Sequence, residues 1–321
     1  MWCLQFSNKL NGGNQVLYAL YSKIYSSKTS NIICLKKNPI KTIIFIIFYS
    51  RNIPIIVSDP FCSILLWLAM RSKVIHFVQS DDLTLFRNHG YLFNFIYKIF
   101  YKLMALNNHW FRIFNSDYSI IYFAKRFGIN IDKSLIVPML GINQLFPLIN
   151  SKYKLKKNGS NFIWLGSQHS FKGGKLFIRA VNISGSKGHM VFNGYIPSWA
   201  KGHSNISVEA NLKREIIFTR IRKHAALIYT SSFDSFALPI FEALLIGRPV
   251  IAIKNKCIEL NQSTDYVTLV SDVYELSTKM AGFNELNIKP EVQINWALKR
   301  QEFNKWCDQI KVKINICMGV I

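Results

Sequence analysis

Ser231–Ala252 reads SSFDSFALPIFEALLIGRPVIA and follows an apolar run, Ala226–Tyr229, with the length and composition of a buried strand. A loop carrying Asp234 leads through Phe236–Pro239 into a helix that holds Glu242 in its first turns. Gly247 stops that helix, and Pro249 opens a further strand. Strand, loop, helix and strand in this order are the unit of a parallel sheet covered by helices. The helix start gathers free backbone N–H groups and the positive end of a dipole, which suits a diphosphate. Glu242 then stands where it can accept hydrogen bonds from a ribose, and Asp234 faces a sugar beyond the phosphates.

The alternation extends outward from this unit. Phe162–Leu165, His189–Phe192, Ile206–Val208, Ala226–Tyr229 and Pro249–Ile253 form one series of candidate strands. Asn31–Leu35, Pro54–Val57, Val74–Val78, Arg112–Phe114 and Ser134–Val137 form another, with helical stretches such as Gln15–Tyr25 and Tyr91–Leu106 between them. The polar connector Asn150–Asn161, NSKYKLKKNGSN, separates the two. A chain of 321 residues suits two domains. The expected architecture is α/β, with two Rossmann-like doubly wound domains, 1–149 and 150–294, facing a central cleft. A last helix, Asn295–Ile314 with Trp296 and Trp306, is expected to return to the first domain within 295–321. Ligands of such sheets bind at the carboxyl ends of the strands.

Composition narrows the classes. Half of the chain is hydrophobic and 18% is charged, which excludes general disorder. The net charge of +23 sits in residues 1–230, where 30 Lys and Arg face 7 Asp and Glu; beyond 230 the count is 10 against 10. Such a basic surface favours phosphate-bearing partners, although a coding bias toward Lys, Ile and Asn would produce it too. Cys3, Cys34, Cys62, Cys257, Cys307 and Cys317 show no metal-binding spacing and read as reduced thiols of a cytoplasmic protein. No signal peptide is expected from the first residues, MWCLQFSNKLNGG. Thr42–Tyr49 is too short for a membrane span, and Ile53–Met70 is broken by Asp59 and Pro60. Both read as buried parallel strands followed by helices.

Phe236, Leu238, Pro239, Glu242, Ala243, Gly247, Pro249, Val250, Ile251 and Ala252 match, in order, the signature of the retaining nucleotide-sugar glycosyltransferases of family 4, which have the GT-B fold. The segment resembles that family with three departures: Asp234 replaces its first glutamate, and Ser235 and Ala237 replace glycines. Phe162–Gly174, FIWLGSQHSFKGG, resembles the opening of the family's donor domain, with Lys172 and Gly173 at its Lys-Gly positions. Ser167 stands where the family has a phosphate-binding arginine, and Lys175 or Arg248 are the cations considered as its substitute. Asn11-Gly12-Gly13-Asn14 resembles the family's glycine loop. Phe114-Asn115-Ser116 and Val137–Asn143 with Phe146 resemble segments on the hinge side of its cleft.

The resemblance implies a hexosyltransferase-type enzyme of bacterial surface-polysaccharide synthesis, O-antigen included, acting with retention on a saccharide or lipid-linked saccharide acceptor. Lys172 and the backbone of Phe236, Ala237 and Leu238 would stabilise the leaving diphosphate, with Gly12, Gly13 and Ser167 also at the donor. Asp234 would position the transferred sugar, and Glu242 the ribose. Asp81 and Asp82 are weak candidates for orienting the acceptor, because the histidine many relatives carry after this strand is absent; His76 falls inside the strand. With no Asp-x-Asp triplet, neither a metal nor another cofactor is expected. Trp67, Phe93, Tyr97 and Tyr101, read as exposed aromatics, suggest with the basic face peripheral attachment to an anionic membrane, although each taken singly more often belongs to a buried core helix. Two other readings stay open: a non-catalytic relative, given Asp234 and Ser167, and a basic nucleic-acid-binding protein, for which no motif is present.

Overall fold

The computed structural model describes residues 2–5, 31–34, 36–48, 53–78, 91–106, 110–114, 116–128, 134–136, 161–234, 237–261, 267–283 and 312. The chain divides into two compact units, Met1–Gly141 with Gln301–Ile321, and Ile142–Arg300. In the first, β1 (Trp2–Gln5), β2 (Asn31–Cys34), α1 (Pro39–Phe48), β3 (Ile55–Val57), α2 (Pro60–Leu68), β4 (Val74–Val78), α3 (Tyr91–Ala105), β5 (Phe111–Phe114), α4 (Asp117–Phe127) and β6 (Ser134–Ile136) follow one another. The strands lie parallel in the order β2-β1-β3-β4-β5-β6. From β2 onward every crossover steps the same way along the sheet, so right-handed connections place α1, α2, α3 and α4 on one face. Phe45, Leu66, Met104 and Phe123, one from each helix, share a core cluster with Val57, Val74 and Phe114 of the strands.

Local chemistry fixes the helix ends. Asp59 caps α2 by accepting from Cys62 N at 2.9 Å, with Pro60 following where no intrahelical N–H is needed. Ser116 caps α4 through Ser119 N. Two buried arginines hold carboxyl-terminal carbonyls: Arg71 Nε donates to Ile46 O of α1 at 2.8 Å, and Arg112 Nη2 to Ala105 O of α3 at 2.8 Å. Trp110 Nε1 donates to Arg71 O in turn.

Three expectations need correction. The strand expected in Thr42–Tyr49 is not found: Thr42–Phe48 belongs to α1, Tyr49 lies outside the described residues, and the neighbouring strand is Ile55–Val57. Pro39 starts a helix, Thr42, Phe45 and Ile46 pack inward, and Arg71 ties its end. Tyr101 is a core residue with its ring 5.5 Å from that of Phe127, and Trp67 is part-buried against Phe100. Neither is an exposed aromatic, because each fills the layer between helices; the side chains of Phe93 and Tyr97 lie outside those described. His76 is buried on β4 among Tyr101, Trp110 and Phe123, as its place inside a strand implied.

The second unit runs β7 (Asn161–Gly166), α5 (Gly174–Ser184), β8 (Lys187–Phe192), β9 (Ile206–Ala210), α6 (Arg214–Arg222), β10 (Ala226–Tyr229), α7 (Leu238–Leu245), β11 (Val250–Ile253), α8 (Lys256–Asn261), β12 (Val267–Val270) and α9 (Val273–Ala281). Its parallel sheet has the order β12-β11-β10-β7-β8-β9. From β7 the chain first steps one way, to β8 and β9, then returns to β10 and continues the other way. The strand order therefore reverses between β7 and β10, the topological switch point at which open α/β sheets leave a crevice. The helix Gln15–Tyr25, and all of Asn295–Ile314 except Val312, lie outside the described residues.

Candidate functional site

Both loops singled out in the sequence leave the carboxyl ends of the two switch-point strands, β7 and β10. They are stitched together. Trp164 of β7 is fully buried, and its Nε1 donates to Thr230 Oγ1 at 3.1 Å. Thr230 Oγ1 lies 2.9 Å from Gly173 O, and Ser232 N donates to Phe171 O at 2.8 Å. Gly173 has φ +71, and a Cβ there would lie 2.1 Å from Thr230 O. Only glycine allows the loop to lie this close to the strand end.

This stitching brings Lys172 and Asp234 together across 62 residues: Nζ lies 2.6 Å from Oδ2. Tyr229 Oη, at the end of β10, donates to the same oxygen at 2.8 Å. Burial and the adjacent carboxylate raise the tyrosine's pKa well above its usual value, so it is a permanent donor. Lys172 Nζ also lies 5.4 Å over the Phe171 ring. The arrangement holds an ammonium and a carboxylate, both partly solvent-reached, at the mouth of the crevice.

The start of α7 borders the same strand end. Its N-cap is Ala237, at φ 51 and ψ 47, and no side chain caps the first turn. Ala237 thus adopts the left-handed conformation natural to glycine, the residue the resembled signature has there. At the far end Gly247, at φ 80, closes α7: Arg248 N reaches Ala243 O and Gly247 N reaches Leu244 O. Glu242 is buried on α7, and Arg214, the first residue of α6, donates Nη2–H to its Oε1 at 2.5 Å. Burial raises the Glu242 pKa above the usual carboxyl value; the Arg214 guanidinium pulls it back only in part.

The structure thus joins Lys172 to Asp234 and sets Ala237, Leu238 and Glu242 on the helix that follows. Ser167 is half-buried just past β7. Of the two cations considered as substitutes for the missing arginine, Arg248 is committed elsewhere. Arg248 is 1% exposed and donates Nε–H to Arg222 O at 3.1 Å, because it ties the α7–β11 turn to α6. Lys175 is exposed on α5, with its ammonium 6.0 Å over the Trp199 ring. Gly12, Gly13, Asp81, Asp82, Ser235, Phe236, Asn115, Val137–Asn143 and Phe146 lie outside the described residues. The sequence reading missed Arg214, Tyr229 and Thr230. Tyr229 and Thr230 had a signal, since they end the strand feeding the Asp234 loop.

No family model and no curated protein matches the sequence. Solved structures do. HepE of Anabaena in complex with UDP and glucose is 14% identical, the match covering 100% of this chain and 99% of that one, with a TM-score of 0.69. WaaG, a glycosyltransferase involved in lipopolysaccharide biosynthesis, is 11% identical over 98% of both chains at 0.65. AviGT4, a glycosyltransferase involved in avilamycin A biosynthesis, is 11% identical over 97% of both at 0.58. At these identities the likeness is one of fold: the chain has the GT-B fold, a parallel α/β sheet in each of two units.

Proposed function

We propose that the protein is a retaining glycosyltransferase that moves a hexosyl group from a nucleotide-sugar to a saccharide or lipid-linked saccharide acceptor in cell-surface polysaccharide synthesis. The observation that carries this reading is the Lys172–Asp234 contact at the switch point, beside an α7 start that no side chain caps. The similarity to HepE bound to UDP and glucose, and to WaaG, supports it.

As the sugar–phosphate bond breaks, negative charge grows on the departing diphosphate and positive charge on the anomeric carbon. Lys172 Nζ and the N–H at Leu238 would meet the first. Asp234, steadied by Tyr229, would meet the second and orient the sugar. Glu242, held by Arg214, would accept hydrogen bonds from the ribose. A lysine and a helix start supply the charge that a divalent ion supplies elsewhere, so the reaction is proposed to proceed without a metal.

The test is thermal shift of the full chain against a panel of nucleotide-sugars and oligonucleotides, followed by turnover with the donor that stabilises it. Stabilisation by nucleic acid alone would sink the proposal. The pairing of Lys172 with Asp234, each partly neutralising the other, together with Ser167, favours a second reading: a non-catalytic nucleotide-sugar-binding relative. That reading wins if wild type and Asp234→Asn bind donor equally and both fail to transfer.

A further inference from the structure

Helix α6 carries Arg214 to Glu242, yet little apolar packing directs it. Its buried residues are Phe218 and Ile221, both in its carboxyl-terminal half, and no side chain caps its first turn. The loop before it is held at the sheet: Asn211 N donates to Phe192 O at 2.9 Å, and Gly194 N donates to Asn211 Oδ1 at 3.0 Å. Apolar anchors at one end of a helix leave the direction of its other end to polar contacts. Arg220, about 9 Å along the axis from Arg214, forks onto Glu209 of β9, giving Nε–H to Oε2 at 2.8 Å and Nη2–H to Oε1 at 2.7 Å. A two-pronged arginine–carboxylate contact fixes direction as well as distance.

The groups around this fork keep it charged. His189 Nε2 of β8 lies 2.9 Å from Glu209 Oε2, and the ring of buried His224 stands edge-on to that of His189, with centroids 5.1 Å apart. Burial lowers the pKa of both histidines, that of His224 to about 4, while the hydrogen bond from Arg220 holds Glu209 below the usual carboxyl range. At neutral pH the carboxylate therefore serves the arginine, with two neutral imidazoles beside it. We propose that Glu209 is a positioning residue of the donor site: through Arg220 it sets α6 at the angle from which Arg214 meets Glu242, and so presents Glu242 to the ribose of a nucleotide-sugar. This inference rests on the transferase reading. Glu209 and Arg220 are partly exposed, and a pair so placed adds little to global stability. Its loss should be read in the site, not in the melting temperature.

The test is a double-mutant cycle on the full chain at neutral pH, with affinity for UDP-glucose, GDP-mannose and the rest of the nucleotide-sugar panel read by thermal shift. Glu209→Gln and Arg220→Met are each expected to weaken binding of the stabilising donor about fivefold, the factor by which a partly exposed ion pair can bias two settings of a helix. Circular dichroism and the melting temperature without ligand should stay unchanged. Arg220→Lys, which keeps the charge without the fork, should recover part of the loss. In an Arg214→Met background α6 has no guanidinium to aim, so adding Glu209→Gln should weaken binding by less than about 1.5-fold. A merely structural carboxylate would cost the same in both backgrounds, and that result overturns the proposal. So does a folded Glu209→Gln protein that binds donor as tightly as wild type. Should Glu209→Gln fail to fold, the same cycle run with Arg220→Met decides. If no nucleotide-sugar stabilises wild type, the transferase reading falls and this proposal with it; unchanged binding by Glu209→Gln beside a wild type that binds removes the positioning role alone.

Discussion

Lys172 Nζ and Asp234 Oδ2 meet at 2.6 Å, and Tyr229 Oη shares the same carboxylate oxygen at 2.8 Å. Two loops of one sheet thereby fix an ammonium against a carboxylate, the pair proposed above to meet the leaving phosphate and the sugar. Asp234→Asn is expected to lower kcat about a hundredfold or more while leaving donor affinity within a few fold. Lys172→Met should weaken donor binding as well. Because the two groups touch, the double variant should lose less than the product of the single losses, which steady-state kinetics on all four proteins will measure.

The Arg214–Glu242 pair sets a pH dependence. Burial disfavours the charged carboxylate, and Arg214 opposes that shift. In Arg214→Met the opposition is gone, so Glu242 will hold its proton to higher pH. Under the proposed role, nucleotide-sugar affinity, read by thermal shift, should fall toward acidic pH and recover as pH rises through the elevated pKa. Arg214→Lys should restore part of it, and a flat profile for Arg214→Met would count against this role for Glu242.

Gly173→Ala would press a methyl group against Thr230 O, since a Cβ there lies 2.1 Å away, in a backbone region unfavourable to alanine. A loss of about 2–4 kcal/mol is expected in urea unfolding. Thr230→Val keeps the shape but strips the hydroxyl that serves Trp164 Nε1 and the loop carbonyls, with an expected loss of about 1–3 kcal/mol.

His76 is fully buried, with neither ring nitrogen hydrogen-bonded, and burial, aided by Arg112, lowers its pKa from 6.5 to about 3. The unfolded chain therefore takes up this proton at higher pH than the folded one. The stability from a neutral His76 is complete above pH 6.5 and falls, by about 1.4 kcal/mol per unit, as pH drops toward 3. His224, lowered to about 4, adds a like slope over its own narrower window. His76→Leu is expected to gain about 1–2 kcal/mol at neutral pH and to flatten the acid limb by one proton's worth. Denaturant titrations between pH 4 and 7 will read both.

Much of the fold could be read from the chain because strands buried on both faces are short continuous apolar runs. Val74–Val78 and Ala226–Tyr229 match their expected bounds. The α1 segment misled for the same reason: PIKTIIFIIF has strand-like composition, and its helical state comes from packing and from the distant Arg71. Val267–Val270 and Trp2–Gln5 were missed. At the site, Lys172, Asp234 and Glu242 stand on local patterns and were found. Arg214 was not, because its meeting with Glu242 across 28 residues depends on how α6 packs against α7.

Ala237 holds a left-handed backbone and is wholly buried at the head of α7. A branched side chain cannot take that conformation without large strain, and a polar one would lose its water there. Selection on a library randomised at this position should therefore return an alphabet of two letters, alanine and glycine. A narrow tolerance in the loop before α7 is then expected at a residue whose side chain need not touch a ligand.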